Sequence, residues 1–255
     1  MKLTRYDPGT PCWIDLGSPD LDASKAFYSA VFGWTAHTSD DPAMGGYTIF
    51  NLGDSPVAGL GTPMSEAAPS TWTWYAATDN VDATAARVEG AGGKVVAAPM
   101  EIPGAGRMAV FMDCDGAAFS AWQPGQFVGA GVVNEPGSFA WNELMVREID
   151  GATDFYGKVL GWTTQKNADF GMEYTLFQVG DRAIAGMMPM AGDQWPEDVP
   201  SHWLIYIAVN DTDATAERVR EVGGTLSIPP TDSPAGRFAV AVDTTGAVFG
   251  FVTLT

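Results

Sequence analysis

The chain has 255 residues, 46% of them hydrophobic and 17% charged, with 31 Asp and Glu against 13 Lys and Arg and a net charge of −18. Such a composition belongs to a folded globular protein with a substantial core and excludes disordered and fibrous classes. The negative charge excludes nucleic acids and anionic membranes as partners, serves solubility first, and favours cationic ligands only mildly.

The first eight residues hold no apolar run of the secretory kind, and no later run reaches a membrane-spanning length, so a cytoplasmic location is expected. Cys12 and Cys114 are too few for a disulfide framework or a cysteine zinc site. Pro11 to Leu16 reads as a strand in which alternation turns Cys12 away from Trp13 and Asp15, making it a core thiol. Ser18-Pro19-Asp20 starts a helix, since Leu21, Ser24, Phe27 and Val31 follow at spacings of three and four, and Gly33 ends it. After a polar stretch from His37 to Gly46, Tyr47 to Leu52 and Val57 to Leu60 are strands around a Gly53-Asp54 turn.

The same order then returns. Thr71 to Ala77 alternates as a half-buried strand, Asn80 caps a helix that Gly90-Ala91-Gly92-Gly93 stops, and Lys94 opens another strand. Met108 to Met112 and Ala117 to Trp122 flank the hairpin turn Asp113-Cys114-Asp115-Gly116. Each quarter is thus a βαβββ module. Gly90 to Lys94 is no phosphate loop, because it follows a helix and lacks the Ser or Thr after Lys; Asp211-Thr212-Asp213 is a helix start, not a calcium loop.

Residues 125–137, rich in Gly, read as a linker, and the second half retraces the first. Trp13 recurs as Trp141, Phe27-Tyr28 as Phe155-Tyr156, and Gly33-Trp34 as Gly161-Trp162, at one constant displacement. Small drifts in the later offsets fall in loops. The expectation is an α+β protein of two domains, 8–124 and 138–255, with two modules each. One module cannot cover both faces of its curved sheet, so a pair encloses a cleft.

On these residues, together with the Asp115-Gly116 and Thr245-Gly246 turns and the Gly-Arg-x-Ala-Val pieces at Gly106 and Gly236, the chain resembles the vicinal oxygen chelate superfamily of glyoxalases, bleomycin-resistance proteins and extradiol dioxygenases. The resemblance covers nearly all of both halves and implies two glyoxalase/bleomycin-resistance-type domains. It also implies divalent-metal ligands on the first and last strand of each module, at Trp13, Thr73, Trp141 and Leu204 and near Gly59, Ser120, Gly186 and Gly250. None of these is a good ligand, and the chain has only two histidines, His37 and His202. No cofactor and no metal are expected.

Period-two geometry places Asp15 beside Trp13 and Glu143 beside Trp141 in the clefts. Either acid is a candidate proton donor or acceptor, a partner for a cation stacked on the indole, or simply paired to a backbone amide or an arginine. Arg107 and Arg237 are candidates to grip a carboxylate or carbonyl at a cleft mouth, or are solvated edge charges. Tyr75 and Tyr206, and less strongly Tyr47 and Tyr174, are candidate hydrogen-bond donors to a ligand; His202 shares the face of Leu204. The favoured reading is a metal-free binding protein for an aromatic or cationic small molecule. The alternatives are a cofactor-free isomerase or lyase acting through Asp15 or Glu143, and a metal-dependent glyoxalase or dioxygenase. A homodimer is left open.

Overall fold

The computed structural model describes residues 3–65, 68–167, 173–192 and 195–254. The first quarter runs β1 (Pro11–Gly17), α1 (Leu21–Phe32), β2 (Thr35–Thr38), β3 (Thr48–Leu52) and β4 (Ser55–Gly61). The second runs β5 (Thr71–Ala77), α2 (Val81–Gly90), β6 (Lys94–Ile102), β7 (Gly106–Met112) and β8 (Ala118–Pro124). The third is β9 (Phe139–Val146), α3 (Ile149–Leu160), β10 (Thr163–Asn167), β11 (Tyr174–Val179) and β12 (Arg182–Pro189). The fourth is β13 (His202–Ala208), α4 (Thr212–Glu221), β14 (Thr225–Ser233), β15 (Gly236–Val242) and β16 (Val248–Leu254).

Four βαβββ modules are therefore present. The strand missed in the polar stretch is β2, which contains His37; as an edge strand with little buried surface it has no apolar alternation to betray it. Local chemistry sets the helix ends: the Asp20 carboxylate accepts from the Ala23 amide at 2.9 Å, and Gly33 leaves α1 in the left-handed region at φ 71°.

The strands form two eight-stranded sheets of matching order, β2-β3-β4-β1-β5-β8-β7-β6 and β10-β11-β12-β9-β13-β16-β15-β14. Modules pair in chain order through their first strands, β1 antiparallel to β5 and β9 antiparallel to β13, and each first strand is also parallel to its module's last.

One face of each sheet looks toward the other half, and a single core runs through both. Alternation sends Ile14 and Leu16 of β1 into this core and leaves Trp13 and Asp15 on the opposite face. The halves interlock reciprocally. Tyr28 on α1 donates to Asp243 at 2.9 Å and accepts from the Trp72 indole at 2.9 Å, while Tyr156 on α3 donates to Asp113 at 2.9 Å and accepts from Trp203 at 2.7 Å. Trp74 stacks on Trp162, with centroids 5.6 Å apart, and meets Trp203 edge-on at 5.0 Å. Among the described residues, no helix is long and apolar enough to cross a membrane.

Candidate functional site

The face of each sheet turned away from the shared core carries a smaller cluster, one around Trp13 and Tyr75, the other around Leu204 and Tyr206. In the first, the antiparallel register sets Trp13 opposite Tyr75 and Asp15 opposite Thr73, and the parallel register sets Asp15 beside Gly59. Tyr47, just before β3, extends over Gly59, where a Cβ would overlap its hydroxyl. Tyr47 and Tyr75 both donate to Oδ2 of Asp15, at 3.1 and 3.2 Å, and the Trp13 indole donates to the Tyr47 oxygen at 3.2 Å.

The second half repeats this constellation. Tyr174 donates to Oε1 of Glu143 at 2.7 Å, Tyr206 donates to Oε2 at 3.0 Å, and the Trp141 indole donates to Tyr174 at 3.1 Å. A Cβ at Gly186 would overlap the Tyr174 hydroxyl, and one at Gly250 would overlap the Tyr206 ring. The longer Glu side chain engages one tyrosine on each oxygen. Asp15 receives both on one oxygen and leaves Oδ1 without a hydrogen bond among the described residues.

Each acid is partly reached by solvent yet tightly surrounded by apolar and aromatic groups. That burial pushes the Asp15 carboxyl up to about 6, against the opposing pull of the Tyr47 and Tyr75 hydroxyls, and it raises Glu143 for the same reason, against Tyr174 and Tyr206. The four tyrosines are held well above their ordinary range, by burial first and by the adjacent carboxylate second, so they stay protonated and donate.

These sites coincide with the positions at which the fold's metal ligands were expected, and the donors do not suit a metal. Gly59 and Gly186 lie beside the acids, Ser120 and Gly250 beside Tyr75 and Tyr206. Each site has one carboxylate, which accepts from two protonated phenols; those phenols and the indole N–H are hydrogen-bond donors where a divalent ion needs further lone pairs. Among the described residues no three His, Cys, Asp or Glu side chains form a group that could hold a metal ion.

The remaining candidates distribute unevenly. Arg107 and Arg237 point away from the clefts, toward the helices. Arg107 pairs with Asp82 at the start of α2 at 2.5 Å, and Arg237 pairs with Asp213 on α4 at 2.6 Å and with Asp232 at 2.8 Å. The expectation that they grip a ligand is corrected by strand parity: Met108 and Phe238, the next residues along, take the cleft side. His202 sits at the rim of the second cleft, its Nδ1 2.8 Å from the Pro200 carbonyl and its ring 6.1 Å from Trp195. Cys12 is buried as expected but joins the cluster of Trp13, because a register shift between Pro11 and Trp13 breaks the alternation; its thiol donates to the Tyr75 carbonyl at 3.4 Å. Tyr47 and Tyr174, ranked low from sequence, are central. Their signal was a glycine beneath each phenol, Gly59 and Gly186, which leaves the space that each phenol fills.

Comparison with known proteins agrees with this architecture. Residues 12–120 and 138–251 each match the family model described as the Glyoxalase/Bleomycin resistance protein/Dioxygenase superfamily. The anthracycline biosynthesis protein DnrV of Streptomyces peucetius is 41% identical over 99% of this chain and 96% of its own length. CFP32 of Mycobacterium bovis is 39% identical over 97% of the chain and 96% of its own length. Among solved structures, the Mn(II)-bound glyoxalase from Novosphingobium aromaticivorans superimposes with a TM-score of 0.66 at 21% identity, covering 98% of this chain and 83% of that one, a likeness of fold. With both halves matched and two full-length relatives near 40% identity, this chain belongs to the glyoxalase/bleomycin resistance protein/dioxygenase superfamily.

Proposed function

We propose that the protein binds a small aromatic or cationic molecule in its clefts without a metal ion. The observation that carries this reading is the replacement of the fold's ligand positions by glycines and by tyrosines that hydrogen-bond a single half-buried acid. An acid held by two phenols beside an indole is a recognition device: it offers a hydrogen-bonding or charged point next to an aromatic wall. The name of DnrV, an anthracycline biosynthesis protein, agrees with a planar aromatic ligand. The test is titration of intrinsic Trp fluorescence with planar aromatic probes, namely 1-naphthol, 1-naphthoate and 1-naphthylmethylamine, alongside elemental analysis of the purified protein. Saturable binding at far below one metal ion per cleft is expected. A stoichiometric divalent ion, or no saturable binding of any of the three, refutes the reading.

A second reading rests on Asp15 alone, whose carboxyl lies near 6 and whose Oδ1 is unengaged: proton transfer to and from carbon beside a carbonyl. It predicts exchange of such protons into deuterated solvent, abolished by Asp15→Asn with the fold intact. Unchanged exchange in that variant eliminates it.

A further inference from the structure

The two halves differ at one end of their clefts. In the first, the stretch after β8 folds back along β1. Phe127 packs edge-on against Trp13, with ring centroids 4.9 Å apart at 87°, and its carbonyl accepts from the Trp122 indole at 2.9 Å. The Ala130 amide donates to the Cys12 carbonyl and the Gly131 amide to the Pro56 carbonyl, both at 2.8 Å. A Cβ on Gly129 or Gly131 would press on Cys12 or Pro56, so the segment lies flush in its groove. Trp13 retains 4% of its surface.

In the second half the corresponding strands border a groove. Cys12, Pro56 and Pro124 correspond to Ala140, Ala183 and Leu254. These residues, with Trp141, Ile184 and Arg182, line a groove of about 410 Å³, a volume suited to a small ligand. Trp141 remains partly exposed at its inner end. The counterpart of Trp122, which anchors Phe127, is Val252, which is smaller and lacks the indole donor. At the mouth, Ser55 of the first half is replaced by Arg182, which is exposed and pairs with no acid among the described residues. Arg5 lies on the facing wall, tied to Asp7 at 3.1 Å.

We propose that this groove is the ligand-binding end of the second cleft, and that it takes an aromatic compound bearing a carboxylate or carbonyl oxygen, its ring on Trp141 and its oxygen on Arg182. This rests on the small-molecule reading above and narrows it to one site per chain. Phe127 in the first half shows that the equivalent groove accommodates an aromatic ring edge-on to the indole. The unpaired guanidinium selects the polar group, since at physiological ionic strength the distant acidic surface is screened over about 8 Å.

The test is isothermal titration with 1-naphthoate, and with 1-naphthylmethylamine as the cation of equal ring size. One naphthoate per chain is expected, weakened roughly tenfold by Arg182→Gln, as for loss of one charge-assisted hydrogen bond. Phe127→Ala should raise the stoichiometry from one to two by emptying the first groove; Trp122→Val, which copies the second half, should do the same if the first variant unfolds. Two sites in the unaltered protein, or naphthoate binding indifferent to Arg182→Gln, overturn the assignment and leave the general reading standing. Binding of the amine or of 1-naphthol without the acid does the same. No binding of any of the three removes both.

Discussion

Replacing Asp15 by Asn should stabilise the protein at neutral pH and do little in acid. The fold raises this carboxyl from 3.8 to about 6, chiefly by burial. The ionised form is therefore less welcome in the folded state than in the unfolded chain. Stability from this group is fully present below pH 4, falls as pH rises through the interval from 4 to 6, and is then constant. At about 1.4 kcal/mol per unit, the cost above pH 6 is on the order of 3 kcal/mol, an upper figure because solvent reaches part of the side chain. Asn has the same shape and no charge, and tyrosine hydroxyls accept as well as donate, so the variant escapes this cost. For a chain of this size 1 kcal/mol moves the melting temperature by about 2–4 °C, which gives a gain of up to roughly 10 °C at pH 7.5. Near pH 4 the difference should shrink below about 1 kcal/mol. Thermal unfolding of both proteins, followed by circular dichroism at the two pH values, measures a difference of differences in which other titrating groups cancel. An equal gap at pH 4 and pH 7.5 would refute the assignment of a raised Asp15.

Tyr47→Phe removes one of the two hydroxyls that pull the Asp15 carboxyl down, so its titration by carbon NMR should move above the unaltered value; a move downward contradicts the geometry. Gly59→Ala should destabilise by about 2 kcal/mol through collision with the Tyr47 hydroxyl, and combining it with Tyr47→Phe should recover part of that loss; strict additivity in urea unfolding would mean the two do not touch. Tyr28→Phe leaves the buried Trp72 indole and Asp243 without a shared partner and should cost about 1–3 kcal/mol, as should Tyr156→Phe in the other half; a loss in only one of them would break the reciprocity.

The module order and, Cys12 apart, the faces of the first strands were legible in the sequence because they depend on period and repetition. Trp13 with Asp15, and Trp141 with Glu143, followed from alternation alone. Three things did not. β2 escaped because an edge strand exposed along its length has no buried side to imprint a pattern. For the arginines a ligand grip and an edge charge both stayed open, because the Gly-Arg repeat marks position along the strand but not side, and only the carboxylates at the starts of α2 and α4 show which way they turn. Asp113 read only as a turn residue and Asp243 was not singled out; both accept from turn amides, yet each also receives a tyrosine hydroxyl from the opposite half. That second role joins residues more than two hundred apart in one case, and no local window can contain it.

The exchanged tyrosines have a further consequence. A contact in which α1 reaches the last module while α3 reaches the second, each with the same pair of groups, is the signature of two equivalent bodies facing each other across an axis. A single half, produced by itself, would show the aromatic flank that its twin now covers, and should associate with another copy sooner than persist alone. The covalent connection between β8 and β9 then makes permanent an encounter that would otherwise depend on concentration, and it leaves the two bodies free to diverge, as Phe127 has done by packing on Trp13 in the first half.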